Sequence, residues 1–555
     1  MDSGNCSTST DFFSSGLQVR HTPAKGRHII ATRDIAPGEL LIAEHPFAIC
    51  AHRRRRTGDA RSCDWCFQCE PRYNGLPWVQ CDQCVEDELF YCSPECRAAS
   101  WRHHHRYECG AVRDLISETS ARSHTDATFH NLLLPVRICL STPIEILQNF
   151  QQKSSDFVDI CAETSSNGTQ KTNFELFSSF LVHELASTVE SQIFNELTDK
   201  IVQALARDQT PNGYFHQPTG WDSHLTQGQR KQMFQALLID VMKRTVCNRF
   251  QFNIFARQHC RAVGIYLLST FLNHACAPNV SIVFDDRARL QCRAIRKIEA
   301  GEEVNNSYGA HMGVDNTVTR QRMLREQFHF DCDCVACARD SKTRVIEGQW
   351  PAMKCYQCGA TYKNEIDLNG NESLECHLCH FSIERSEIQR KVDAFKLRLS
   401  AEYNQDQQCA DVMQFYEISR HFHPNNKQLY HLRRLVIETV RGHAPQSVVE
   451  MIQEHVQVTK RYYGSQSLQA SIAQLELAQA YRTQKHPSFW PTCALGVRIQ
   501  LNHYGLENVK RMYAEAGGQS HLAAIADLLQ EQRNFMNRNG GRIIETESDE
   551  ISECF

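Results

Sequence analysis

No stretch of this sequence is long and apolar enough to be read as a membrane span. The run around Leu132 is broken by Pro135 and Arg137 and is too short to cross a bilayer. No charge of one sign dominates: the formal net charge is −4 over 555 residues, so no global basic field argues for nucleic acid or a membrane surface. The N-terminal MDSGNCSTSTDFFSSG lacks the basic start and apolar run of a secretory leader. Cys554, second from the end, is wrongly placed for prenylation. The four arginines at Arg53–Arg56 have no interleaved aromatics and read as a solvated loop. These absences predict a protein of the cytoplasm and nucleus with no membrane partner, and with nucleic acid not its main partner.

Cysteine is not scarce. There are 26 in a chain with 41% hydrophobic and 22% charged residues. Without a secretion signal, clustered cysteines are expected to hold metal rather than to form disulfides. The length predicts about three or four domains. Residues 28–44 read as strand, Pro37-Gly38 turn and strand, and β character returns over 246–308. Helical periodicity marks the region from 110 to 245, apart from Ser/Thr/Asn/Gly-rich stretches at 152–172 and 208–228. It returns over 385–540, where Leu429, Leu432, Leu435 or Val436, and Val440 share a face, as do Leu468, Ile472 and Leu475. Helix pairs at about 34–45-residue spacing suggest a tetratricopeptide-like array. The 541–555 tail is acidic.

The cysteines fall into groups. The first holds Cys63, Cys66, Cys81, Cys84, Cys92, Cys96, His105 and Cys109. Eight such ligands in paired spacing suffice for two tetrahedral zinc sites. Cys66/Cys69 is an alternative first pair, and His104 an alternative to His105. Fewer than 50 residues with so few apolar side chains need metal to hold a shape. The second group, Cys332, Cys334 and Cys337 in FDCDCVAC, is one ligand short of a closed site. Cys276, in LNHACAPNV, has no other cysteine within fifteen residues. Joining it to the trio closes a four-cysteine site and pins the 330s against the NHACAPN loop. The third group, Cys355/Cys358 and Cys376/Cys379, has the spacing of a zinc ribbon. Three zinc ions are expected, with a fourth in the ribbon.

GELLIAEHPF, the eight-ligand finger with YCSPEC and H-x3-C, NHACAPN, GEEVNNSY, the CxCxxC and HFHPNN at 421–426 occur in one order along the chain. The sequence resembles the SMYD family, protein-lysine methyltransferases whose SET domain is split by a MYND zinc finger. C-D-W-C-F and H-x3-C in that family favour Cys63/Cys66 and His105. The resemblance implies an α+β multidomain chain. Residues 17–62 are its N-terminal SET part, 63–109 the MYND finger, 110–245 a helical insert and 246–312 the SET core. Residues 313–340 are a cysteine-rich post-SET segment, 350–384 the ribbon, 385–540 an all-α tetratricopeptide-like domain and 541–555 a tail.

The resemblance also implies the cofactor, S-adenosylmethionine, and its contacts: Asn273, His274, Asn248, Tyr308 and Phe330, with Lys25 and Arg27 from the N-terminal loop. Tyr308 matches the catalytic tyrosine, and Phe250 and Phe328 match the lysine channel. The implied partners are a protein substrate, histone or not, bearing the target lysine, and a proline-containing peptide at the finger. The alternative reading is a catalytically weak scaffold recruiting transcriptional or signalling partners. Three positions depart from the family. His28 replaces the second glycine of a G-x-G loop, Phe328 replaces a channel tyrosine, and Asn305-Asn306 replace apolar or threonine residues before Ser-Tyr. The implied chemistry suits these residue types. A neutral lysine amine attacks a sulfonium methyl, and neutralising a lysine of pKa ~10.4 costs about 4 kcal/mol at physiological pH. A dry aromatic channel lowers that cost. Alignment and electrostatics then suffice, with no covalent enzyme intermediate.

Overall fold

The computed structural model describes residues 16–51, 63–67, 78–83, 89–110, 115, 126–150, 173–180, 182, 188–209, 212–216, 221–253, 261–285, 287–338, 342–362, 373–399, 408–439, 446–504 and 509. Arg53–Arg56, Cys69, Cys84, Val440 and the acidic tail lie outside them. No described helix is long and apolar enough to cross a membrane.

The strands form small sheets, most of which share one core. β1 (Leu17–Thr22) pairs antiparallel with β2 (Gly26–Ala31), with Thr22 opposite Gly26 at the turn, where Gly26 has φ +62°. β3 (Leu40–Glu44) joins β10 (Val280–Phe284) and β11 (Leu290–Ala294) in the order β10-β11-β3. The 28–44 segment is thus strand, turn, strand, with Gly38 at φ +86°, but its two strands belong to different sheets. β4 (Ala48–Ala51), β7 (Arg249–Asn253) and β8 (Arg261–Ile265) make a third sheet, ordered β4-β8-β7. Sequence-distant pieces are therefore interleaved, and the decisive case is a short parallel pair. β9 (Asn273–His274) lies beside β12 (Asn305–Asn306), with Asn273 opposite Asn305.

The helical insert packs on these sheets. Helix α1 (Asp126–Ser141) carries Pro135 inside it and lies against α2 (Gln227–Asn248) and β4. Leu132–Leu134, Val136, Ile138 and Leu238 join Ile29, Ile265 and Leu290 in one buried cluster. A capping box of Thr226 and Gln229 starts α2.

Past these strands, α3 (Thr317–Phe328) is capped by Asn316 and ends at His329, which is left-handed at φ +58°. Its buried Arg320 pairs with Glu347. The C-terminal helices are α4 (Arg385–Leu399), α5 (Gln408–Ser419), α6 (Lys427–Thr439), α7 (Gln446–Tyr463), α8 (Leu468–Thr483) and α9 (Phe489–Tyr504). Consecutive members pack together, and α9 folds back on β10 and β11. Leu429, Leu432 and Val436 are buried while Leu435 is 40% exposed, so Val436 is the inward choice. In α8 Leu475 is buried as expected, but Leu468 and Ile472 are only half-buried, and Ala470, Ala473, Leu477, Ala478 and Tyr481 make up the rest of the inward face. Its small side chains let α7 and α9 approach from both sides, and a Cβ on Gly496 would meet the Leu475 side chain at 2.7 Å. Gly464, at φ +88°, ends α7 as a C′ residue should.

Candidate active site and its metal clusters

The parallel β9–β12 pair builds the site. The Ala275 N–H donates to Asn306 O (2.8 Å) and the Asn279 N–H to Asn305 O (3.2 Å). Asn279 locks the crossing: its Oδ1 accepts from the Asn305 N–H at 2.7 Å and its Nδ2 donates to Glu303 O at 2.8 Å. Asn305 and Asn306 thus serve through their backbone, which explains why apolar or threonine side chains are not required there.

Asn273 is partly exposed. Its Nδ2 donates to Lys25 O and to Glu303 Oε1, each at 3.2 Å, and Lys25 is ion-paired with Glu303. That pairing raises the Lys25 pKa. His274 is buried. Its Nδ1 accepts the Tyr308 backbone N–H at 3.0 Å, and burial first of all lowers its pKa to about 4. Tyr308 Oη donates to Leu272 O at 2.9 Å. Burial, with Glu303 as a lesser cause, pushes the phenol's pKa up, so it stays protonated. Phe328 lies 4.9 Å from the Tyr308 ring, and Phe330 lies 6.4 Å from Tyr308 and 6.1 Å from His274. The left-handed turn at His329 brings both phenylalanines to the same tyrosine.

The other expected contacts each have protein partners. The Arg27 guanidinium is turned toward the insert, where Nη1 donates to Ser179 Oγ at 3.1 Å and the group lies over Phe271 at 5.1 Å. Asn248 directs Nδ2 to Arg244 O, and Phe250 packs edge-on against Tyr266 in the main core. His28 sits in β2 with its Nδ1 3.0 Å from Gly26 O. The positive φ of this loop falls on Gly26, not on His28, so the histidine strains no backbone.

The cysteine groups assemble. Cys276, Cys332, Cys334 and Cys337 bring their four sulfurs within 4.8 Å of one another. Cys63, Cys66, Cys92 and Cys96 do the same, as do Cys81, His105 and Cys109, with Cys84 outside the described residues. Four convergent thiols, or three ligands with an adjoining cysteine in sequence, suit tetrahedral zinc. The ribbon cysteines Cys355, Cys358, Cys376 and Cys379 also converge, within the helical region. His105 Nδ1 lies 3.2 Å from Glu108 Oε1, which leaves Nε2 for a metal. Glu108 and Asp64 in turn take two and one hydrogen bonds from buried Arg137, at 2.6–3.1 Å.

Two functional carboxylates escaped the sequence reading although both stand in the quoted motifs. Glu303 orders Asn273 and Lys25. Glu44, from GELLIAEHPF, is buried and accepts the Leu268 and Ser269 N–H groups and the Ser269 hydroxyl at 2.8–3.1 Å. It therefore holds the turn that delivers Leu272 and Asn273. An acid inside an otherwise apolar strand was the available signal.

The SET-domain family model matches residues 26–309, about half of the chain. The chain belongs to the SET-domain family. Its similarity extends to the "Protein-lysine N-methyltransferase SMYD4" of Pongo abelii, 25% identical over 65% of this chain and 50% of that protein. The "Histone-lysine N-methyltransferase SMYD3" of Mus musculus is 26% identical over 58% of this chain and 61% of that protein. A SET and MYND domain-containing protein of Dictyostelium discoideum is 25% identical over 66% of this chain and 96% of its own length. The SMYD resemblance carried by the motifs is borne out by these relatives. The chain spans about half the length of the SMYD4 proteins it matches.

Proposed function

We propose that this SET protein is an S-adenosylmethionine-dependent protein-lysine N-methyltransferase acting on a histone or another protein. The observation that carries the reading is Tyr308, whose hydroxyl proton is committed to Leu272 O beside Phe328, Phe330, Asn273 and His274. With its proton so engaged, the phenolic oxygen offers lone pairs to an amine N–H. A phenol held protonated by burial is not a general base; it aims the amine and leaves its proton to solvent. The aromatic wall excludes water and favours the neutral amine.

The residues that would hold the cofactor are Lys25, Asn273, His274, Tyr308 and Phe330; bound there, it supplies a methyl group on a sulfonium. Arg27 and Asn248 are proposed as further cofactor contacts, and Phe250 as part of the lysine channel. Zinc would hold the finger and close Cys276 onto the 332–337 loop, fixing Phe330. The consecutive C-terminal helices are read as tetratricopeptide-like and as restricting substrate entry, and the finger as a site for a proline-containing peptide. Cytoplasm and nucleus remain the proposed locations.

Calorimetric titration with S-adenosylmethionine, followed by transfer of labelled methyl to a cell extract, tests the reading. Binding with labelling of a protein, lost in Tyr308→Phe, is expected. No binding at millimolar ligand would leave the scaffold reading instead.

A further inference from the structure

The ribbon is built from two knuckles with the same backbone hydrogen-bond pattern. In the first, the Gly359 N–H donates to Cys355 O (2.9 Å) and the Cys355 N–H to Ala360 O (2.8 Å). In the second, the His380 N–H donates to Cys376 O (2.9 Å) and the Cys376 N–H to Phe381 O (2.9 Å). The residue after each second cysteine is left-handed, Gly359 at φ +74° and His380 at φ +58°. Histidine is among the non-glycine residues enriched in that conformation. The finger repeats the device: Phe67, after Cys66, has φ +61°, and its N–H donates to Cys63 O at 3.0 Å.

This unit sits at one end of the helical array. Cys355 and Cys376 share a buried cluster with Ile388, Val392 and Phe395 of α4. The strand Ser382–Glu384 runs directly into α4. The Lys354 N–H donates to His421 O at 2.9 Å, and the Tyr356 ring stacks on His421 at 5.0 Å. Cys355 and Cys376 are 1% exposed, whereas Cys358 and Cys379 face solvent. A first helix with an uncovered inner face needs such an end piece, because stacked helical units are stable only when their terminal faces are closed.

We propose that the ribbon binds a structural zinc ion that caps the first helix of the array, and that this ion exchanges faster than those of the other clusters. Ligation follows from four convergent thiols on two matching turns. Fast exchange follows from having two of the four ligands at the surface. The proposal does not depend on methyl transfer.

The test uses the full chain and the variant Cys358→Ser/Cys379→Ser, whose changes are at the surface. Zinc content by mass spectrometry is expected to fall by about one equivalent. The fast phase of zinc release to a chromogenic chelator should vanish, and trypsin should cut within residues 385–504 sooner. Cys358→His, which can still ligate, should restore ion and protection, whereas a chain merely misfolded by substitution would not be rescued. Unchanged zinc content overturns the proposal, as does loss of zinc with unchanged proteolysis or an unchanged fast phase. Cofactor binding is read separately by calorimetry, so failure of the methyltransferase reading would leave each of these results standing.

Discussion

The imidazole Nε2 of His274 lies 3.3 Å from the sulfur of Cys276. Because Nδ1 accepts the Tyr308 N–H, the ring proton belongs on Nε2, which then donates to sulfur. One side chain thus ties the four-cysteine cluster to the backbone that carries the proposed catalytic tyrosine. A donor on a ligating thiolate orients it and steadies the metal. His274→Ala is expected to weaken zinc at this cluster by about 10–100-fold in chelator competition. The finger and ribbon ligands are untouched, so the other zinc equivalents should be retained.

Arg137 makes a second long-range tie, from helix α1 to the finger. It is buried and bonds to Asp64 and Glu108, themselves buried. Removing it leaves two carboxylates without their cation in a dry site. Arg137→Ala should therefore destabilise the finger–insert junction by about 3–5 kcal/mol. Lysine cannot reproduce the fork that serves both acids, so Arg137→Lys should recover only part of the loss. Thermal melts of the zinc-loaded variants check both.

What could be read in the sequence and what could not divides along chain distance. Cys276 had no local partner, and counting an odd cysteine against an odd trio was enough to join them, because metal valence is a global constraint visible in composition. Leu435 against Val436 was an even choice, since helical spacing admits both and only packing decides. In α8 Leu475 was read correctly, but the alanine seam beside it was missed because a stripe of large residues is the easier signal. Close helix approach instead selects small ones. Arg137 was taken as an interruption in an apolar run; its partners lie 73 and 29 residues earlier and carry no local mark. Arg27 sits in the expected loop, yet its direction depended on Phe271 and Ser179, which no local pattern names.

Glu44 gives a pH dependence with a definite sign. Burial pushes its pKa up to about 7 from the ordinary 4.5, against the pull of its backbone donors. Between those values the unfolded chain has released a proton that the folded chain keeps. Stability from this group is therefore fully present below about 4.5, falls as pH rises toward 7, and is level beyond, a change of about 3 kcal/mol. Metal loss in acid acts in the opposite direction, because thiolate ligands need deprotonation. The difference between the native chain and Glu44→Gln in urea melts at pH 5 to 8 isolates the carboxyl. The native chain should lose stability relative to the variant as pH rises.

Phe328 offers a gain-of-hydroxyl experiment. Its ring is 4.9 Å from that of Tyr308, whose hydroxyl is bonded to Leu272 O. The wall facing the proposed amine thus carries an apolar ring beside the phenol. An apolar flank leaves room for a methylated amine to turn and present its lone pair again. A second hydroxyl would hydrogen-bond an amine N–H or fix a water in that space. Either arrangement favours the unmethylated amine over its bulkier product. Phe328→Tyr is accordingly expected to shift product toward fewer methyl groups while cofactor affinity stays within about threefold, since the change is on the substrate side. Mass spectrometry of the labelled substrate reads the distribution. An unchanged distribution would place Phe328 outside the channel, leaving it only to support Tyr308.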